Sequence, residues 1–207
     1  MTMSRPRIEG TSRIEAFSDG VLAIIVTLLI FEVRLPDVRP GATTGEFWAA
    51  LVSIAPKFGS FTLSFLAVAI YWVNHHHFFS RVTHTDWKLL WANNLLLFFL
   101  SIVPFTTAIL GDHLDQPVAL AIYALDLGLA ATAFTLMGGY VLFVGRLIDE
   151  RVPQSERRAE FRRSLIGTLF YFVCVPIAFV APTIALVLFV VIPVAYVVPT
   201  LLSPDGG

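Results

Sequence analysis

The sequence predicts an all-α integral membrane protein with six transmembrane helices in each subunit. Of its 207 residues, 57% are hydrophobic and 14% are charged, whereas about a quarter of the residues in soluble domains are charged. Mean hydropathy is +0.78, and charged residues divide the chain into apolar runs as long as a bilayer requires. Since no segment is polar enough for a soluble domain, residues 1–207 are expected to form one transmembrane domain that acts in or across the bilayer.

Charged residues and one proline turn bound the six spans. Residues 58–80 and 89–111 each hold 23 residues without Asp, Glu, Lys or Arg, and residues 164–204 hold 41. The 41-residue stretch is long enough for two crossings, and Pro182 favours a turn between them because proline breaks the helical hydrogen-bond ladder. The second span is expected to start near residue 47 and to continue past Pro56. The predicted spans are residues 16–33, 47–80, 88–110, 117–146, 162–180 and 183–202.

The distribution of Lys and Arg predicts the orientation. With the N-terminus inside, eleven of the 14 Lys and Arg residues lie on inner segments and three on outer loops. Cytoplasmic loops carry an excess of these residues, so both termini are expected in the cytoplasm of a protein of the inner (plasma) membrane. The charged run "IDERVPQSERRAEFRR", between the fourth and fifth spans, is expected to be a solvated connector on the same side.

The first span has two different faces. Gly20–Phe31 holds twelve residues without a charge, which corresponds to about 18 Å of helix against a hydrocarbon core of about 30 Å. At about 100° per residue, an apolar stripe lies within about 60° of Ile24 and includes Thr27, Leu28 and Phe31. Ser18 and Asp19 lie about 120° and 140° to either side of Ile24. An aspartate at this depth is expensive in lipid, so Asp19 is expected to face neighbouring helices.

Polar side chains of the second and third spans are expected at the depth of Ser18 and Asp19. They belong to the runs "YWVNHHHFF" and "WANNLLLFFLSIVPF", near the cytoplasmic ends of those spans. Buried polar groups are tolerated when they are hydrogen-bonded, and these groups can satisfy one another. We therefore expect a structural polar network that holds the first span against the second and third, with the members Arg13, Phe17, Ser18, Asp19, Trp72, Asn74, His75, His76, Asn93 and Asn94.

The pattern Arg-x-x-x-Phe-Ser-Asp at residues 13–19, followed by "GVLAIIVTLLI", resembles the transmembrane protein 175 family of potassium channels. The run Trp-x-Asn-His-His at residues 72–76 and the later "PFTT" at residues 104–107 are also similar to that family. One six-helix repeat is the arrangement of the prokaryotic members. The resemblance implies a homotetramer in which four copies of the first helix surround a central pore, with K+ and other monovalent cations as the permeant species.

The resemblance also implies the identity of the pore residues. The sequence has no TVGYG filter, and in the family isoleucine or leucine rings of the first helix form the constriction, with a threonine one turn further on. By motif position these residues are Ile24 and Thr27, and Leu28 and Phe31 would extend the same face outward. An apolar constriction of this kind gates by dewetting, and K+ would pass transiently near Thr27.

Other chemistries have weaker support in the sequence. His75, His76 and His77 cannot chelate one metal ion together, since adjacent helical residues point about 100° apart, so we expect neither a metal site nor a cofactor. A proton-coupled secondary transporter that uses Asp19, His76 and Asp126 is the alternative function, and Asp126 is equally compatible with helix packing. The sequence has no nucleophile–base pair typical of an enzyme and no basic face typical of a nucleic-acid-binding protein. Its single cysteine, Cys174, excludes an internal disulfide.

Overall fold

The structure is a computed structural model, and it describes residues 8–145, 147–149 and 151–202. Within these residues, five helical segments are long and apolar enough to cross a membrane, and the last helix adds a shorter apolar segment over Pro182–Val194. The predicted all-α membrane fold is therefore confirmed, with five to six apolar helices. The helices are α1 (Ser12–Leu29), α2 (Thr44–Ser53), α3 (Ala55–Phe79), α4 (Trp87–Asp112), α5 (Pro117–Gly139), α6 (Gln154–Val180) and α7 (Pro182–Leu202).

Helix α1 is long enough to span a bilayer because its regular structure extends beyond the twelve uncharged residues. A 3-10 turn over Ile30–Glu32 continues α1, so that the segment holds 21 residues, which is about 31 Å of helix. Its buried side chains recur at three- and four-residue spacing and are Ile14, Ser18, Leu22, Ile25 and Leu29. This face packs against α3 and α4, which fixes how α1 is rotated in the subunit.

The second predicted span is built from two helices, α2 and α3, rather than one. Helix α2 starts with a capping box, in which the Thr43 side chain accepts from the Glu46 N–H and the Glu46 carboxylate accepts from the Thr43 N–H at 2.7 Å. It ends before Ile54, and Pro56 occupies the first turn of α3. Proline lacks the N–H that a continuous helix requires at this position. The remaining 25 residues of α3 give about 38 Å of helix, which is enough to span.

Helix α5 lies at the centre of the subunit, between α4 and α6, and α7 packs on α3 and α6. Hydroxyl groups link the central helices: Thr107 donates to Ser64 at 2.7 Å, and the Ser64 and Tyr123 oxygens lie 3.0 Å apart. Every buried side-chain nitrogen or oxygen in the described part of the chain has a hydrogen-bond partner. After Gly139, a π-helical turn over Tyr140–Val144 extends α5; the predicted end of the fourth span, residue 146, lies outside the described residues.

One end of the bundle is tied together by its connections. Strand β1 (Ile8–Glu9), directly before α1, pairs antiparallel with β2 (His84–Thr85) in the α3–α4 connection. An isolated bridge joins Val82 of that connection to Ile148, between α5 and α6. The charged run expected to be a solvated connector is helical from Gln154 onward, eight residues before the predicted start of the fifth span. Ion pairs between this run and the α3–α4 connection hold it in place.

Candidate pore-lining helix and its polar support

Helix α1 leaves a broad apolar face uncovered in the subunit. The side chains of Ile24, Leu28 and Phe31 are 60%, 44% and 62% exposed, and Thr27 beside them is also exposed. The Thr27 hydroxyl donates to the Ile24 carbonyl oxygen at 2.9 Å. An exposed apolar stripe of this size marks a surface that meets lipid or another protein chain. All four predicted pore residues therefore lie on the side of α1 that its own subunit does not bury.

The opposite side of α1 carries a buried chain of hydrogen bonds. The Asn93 amide donates to the Ser18 hydroxyl at 3.0 Å, and Ser18 donates in turn to the Ile14 carbonyl oxygen at 2.8 Å. The Asn93 side-chain carbonyl lies 2.9 Å from Nε2 of His75. A carbonyl oxygen only accepts, so His75 donates through Nε2. Because Ser18, Asn93 and His75 are all buried, this chain joins α1, α3 and α4 where water does not compete.

A second contact joins α1 to α3 at the surface of the subunit. The Trp72 indole N–H donates to the Asp19 carboxylate at 2.9 Å. The Trp72 ring also stacks on His76, with centroids 6.2 Å apart and planes inclined by 25°. Asp19, Trp72 and His76 are all exposed in the subunit. Asp19 thus has a partner on a neighbouring helix and lies away from the Ile24 side of α1.

The other four residues predicted for the polar network differ in burial. Phe17 is 57% exposed and lies two turns before Ile24, on the same face of α1. Arg13 and Asn94 are exposed, and Asn74 is half-buried. Of the ten residues, Ser18, Asn93 and His75 form the buried chain, and Asp19, Trp72 and His76 form the surface contact.

Asp126 lies apart from both contacts, inside the packing of α4 against α5. It is buried, and Thr106 of α4 donates to its carboxylate at 2.8 Å. The sequence pattern predicts no partner for this acid, although Thr106 belongs to the "PFTT" run at residues 104–107. In the part of the chain that the structure describes, no three His, Cys, Asp or Glu side chains converge as metal ligands.

Comparison with known proteins finds relatives over most of the chain. The family model described as "Endosomal/lysosomal potassium channel TMEM175" matches residues 13–104, which contain α1, α3 and the polar part of α4. A protein of Streptomyces collinus named as a potassium channel is 37% identical over 180 residues, which are 85% of this chain and 86% of that protein. A Chryseobacterium protein, also named as a potassium channel, is 36% identical over 174 residues, 84% of this chain and 85% of its own.

A solved structure shows the same fold. The crystal structure of a lysosomal potassium-selective channel TMEM175 homolog from Chamaesiphon minutus superposes with a TM-score of 0.80 and 30% sequence identity. The match covers 91% of this chain and 96% of that one. The family model and both bacterial relatives are named as potassium channels, which favours a channel over the transporter alternative and over an enzyme. On sequence and fold together, the chain belongs to the TMEM175 family of potassium channels.

Proposed function

We propose that this chain forms a potassium-permeable cation channel whose pore is lined by α1. The observation that supports this most is the exposed stripe of Ile24, Thr27, Leu28 and Phe31, on the one side of α1 that the subunit leaves uncovered. The relatives named as potassium channels match the chain over most of its length. A single stripe cannot enclose a conduit, so the function requires several copies of α1 around one axis.

The proposed assembly is a homotetramer. Beside the apolar stripe, α1 exposes the small residues Ala16, Gly20 and Ala23. A Cβ atom built on Gly20 would meet nothing within 4 Å in the subunit, so the space next to it is open. Small residues on membrane helices permit close approach of a neighbouring backbone. Four subunits packed through this side of α1 would bring their Ile24 side chains together around the pore axis.

In the proposed mechanism, the Ile24 ring is a hydrophobic gate. An apolar ring narrower than a hydrated ion excludes water, and the channel conducts when the ring widens enough to be wetted. Thr27 lies about one turn further along the helix. Because its hydroxyl hydrogen is donated to the Ile24 carbonyl, its oxygen retains lone pairs that can replace water around a partly dehydrated K+. Leu28 and Phe31 continue the wall toward the outer mouth.

The Ser18–Asn93–His75 chain is proposed to hold α1 in the rotation that turns Ile24 to the axis. The excess of Lys and Arg on one side of the predicted spans supports cytoplasmic termini, and the proposed location is the plasma membrane. K+ is the proposed permeant ion, with no cofactor. The lipid bilayer surrounds the assembly.

The proposal is tested by flux through the purified protein in liposomes. With K+ inside and an impermeant cation outside, the proposed channel gives fast, electrogenic K+ efflux that needs no second ion gradient. A size measurement of the same preparation in detergent should give the mass of four subunits. Efflux that requires an opposing proton gradient, or a monomer that conducts, would overturn the proposal.

A further inference from the structure

In the N-terminal part of α6, the charged side chains on one face of the helix have partners within the subunit and two arginines on another face do not. On the side that faces the subunit, Arg81 binds Glu156 at 3.0 Å and Glu160 at 3.1 Å. Arg157 donates to the backbone carbonyl oxygens of Val152 and Asp149, at 3.0 and 3.1 Å. Each of these charges is therefore engaged within the subunit.

Two further arginines of α6 are not engaged in this way. Arg158 and Arg162 are exposed, and neither forms an ion pair or hydrogen bond with any residue that the structure describes. They lie four residues apart, which places their Cβ atoms about 5–6 Å from each other on one side of the helix. We refer to Arg158 and Arg162 as the arginine pair.

The arginine pair lies at the end of an apolar stripe on the same helix. Leu169, Val173 and Val180 are 55%, 54% and 87% exposed, and on a helical wheel they fall within about 20° of Arg162. From Arg162 to Val180 the helix rises about 27 Å, close to the thickness of a hydrocarbon core. This side of α6 thus has the length and apolar character of a lipid-facing surface, with two positive charges at one edge.

We propose that the arginine pair binds the phosphate of an anionic phospholipid, whose acyl chains lie along the apolar stripe of α6. Guanidinium groups recognise phosphate oxygens through paired N–H donors, and two of them one turn apart can hold a single phosphate between them. Their aliphatic stems can lie along the helix while the charged groups reach the headgroup region. The inference rests on the proposed orientation, which places the pair at the cytoplasmic leaflet, where anionic lipids attract basic side chains.

The test measures lipid binding to the purified full chain in detergent, by native mass spectrometry and by the shift in melting temperature on adding phosphatidylglycerol. The unmodified protein should bind phosphatidylglycerol in preference to phosphatidylcholine and melt at a higher temperature with it. In the double variant Arg158→Gln/Arg162→Gln, apparent affinity should fall about 25-fold, because each arginine near an anionic surface contributes a factor of about five. Arg158→Lys/Arg162→Lys keeps both charges but lacks the paired N–H donors of guanidinium, so its affinity should lie between those of the unmodified protein and the double glutamine variant.

A matched control lies on the same helix. Arg163 is also exposed, but it points about 100° away from Arg162, so Arg163→Gln should leave the affinity within about twofold. An equal loss in Arg163→Gln would show a diffuse charge effect and overturn the site. If soluble glycerol 3-phosphate competes as well as phosphatidylglycerol does, the arginine pair is a site for free phosphate instead. If the double variant loses its assembly but binds lipid as before, the arginine pair forms a contact between subunits instead. If the double variants do not elute as folded protein, the single variants are compared in the same way.

Potassium flux is measured on the same preparations to separate the two proposals. Lipid binding in detergent does not depend on conduction. Unselective lipid binding by a protein that conducts K+ would overturn the lipid site alone. Selective phosphatidylglycerol binding by a protein that does not conduct would overturn the channel alone.

Discussion

The side-chain amide of Asn93 on α4 donates a hydrogen bond to the hydroxyl of Ser18 on α1, at 3.0 Å, where both residues are buried. His75 completes the contact from α3 by donating to the Asn93 carbonyl oxygen at 2.9 Å. Ser18 and Ile24 lie about 120° apart around α1. Burial of Ser18 in this contact therefore turns Ile24 out of the subunit, and the polar chain and the exposed stripe are two results of one helix rotation.

Removal of the central amide should destabilise the subunit. In Asn93→Leu, His75 loses its acceptor and Ser18 loses a donor, and one unsatisfied buried donor costs about 1–3 kcal/mol. We expect thermal unfolding in detergent to show a loss of about 2 kcal/mol in the free energy of unfolding. Asn94→Leu is the matched control, since Asn94 is the adjacent residue and is exposed. Equal stability of the two variants would mean that the Asn93 contacts contribute nothing to the fold.

The Asp19–Trp72 contact should matter more for folding or assembly than for ion selectivity. Asp19→Ala removes the acceptor of the Trp72 N–H, and Trp72→Phe removes the donor; each should lower stability by about 1 kcal/mol, the value of an ordinary hydrogen bond. The K+/Na+ permeability ratio should not change, because Asp19 points away from the Ile24 side. The two variants are compared by thermal unfolding and by flux in mixed gradients, with the exposed Trp91→Phe as control. A stable tetramer with an altered ion preference would contradict this account.

Asp126 should be dispensable for conduction. Its carboxylate accepts from Thr106 inside the α4–α5 contact, and the amide of Asp126→Asn retains a carbonyl oxygen that can accept the same bond. The variant should fold and conduct K+ at the rate of the unmodified protein. Flux from liposomes measures this, with elution volume in detergent as the check on assembly. A correctly assembled variant with no flux would place the acid on the ion path, as the transporter alternative requires.

A polar side chain at the proposed gate should increase conduction. Ile24→Asn would wet the constriction and lower the barrier that dewetting creates, so K+ efflux should rise several-fold. The control is Ile30→Asn, because Ile30 is also an exposed isoleucine of the same segment but lies about 120° from Ile24. Its efflux should match that of the unmodified protein. If both variants conduct alike, Ile24 is not the gate.

The depth of the polar residues could be predicted from the sequence, but the choice among them could not. The topology brings the polar residues of three spans to one level, and the contact of Ser18 with Asn93 lies there. Asn93 and Asn94 point about 100° apart around α4. Because both are asparagines at the same depth, residue type does not distinguish them. Only the packing of α1 on α4 determines that Asn93 is buried and Asn94 exposed.

Phe17 shows how a motif can group residues that the fold separates. It directly precedes Ser18 and Asp19 in the chain, and the motif predicts that it belongs to the polar network with them. Seven residues are about two turns of helix, so Phe17 shares the exposed face of Ile24. Helical geometry, applied without the motif, would have placed it there.

Two features of the fold depend on tertiary contacts that leave no periodic signal. The two-residue strands β1 and β2 pair because the segment before α1 lies beside the α3–α4 connection, and strands this short have no recognisable alternation. Near the early start of α6 at Gln154, Arg81 from a distant part of the chain binds two acids of the helix. Pro56, in contrast, is a local signal for the break between α2 and α3.

If the Ile24 side chains of different subunits meet on one axis, cysteines placed at this position should cross-link. In Ile24→Cys, thiols from neighbouring subunits would come close enough to form a disulfide, which needs Cβ atoms about 3.5–4.5 Å apart; the native Cys174 is buried and does not compete. Mild oxidation in the membrane should give a covalent dimer of subunits from Ile24→Cys and none from Ile30→Cys. A cross-linked dimer from Ile30→Cys, with only monomer from Ile24→Cys, would contradict the account.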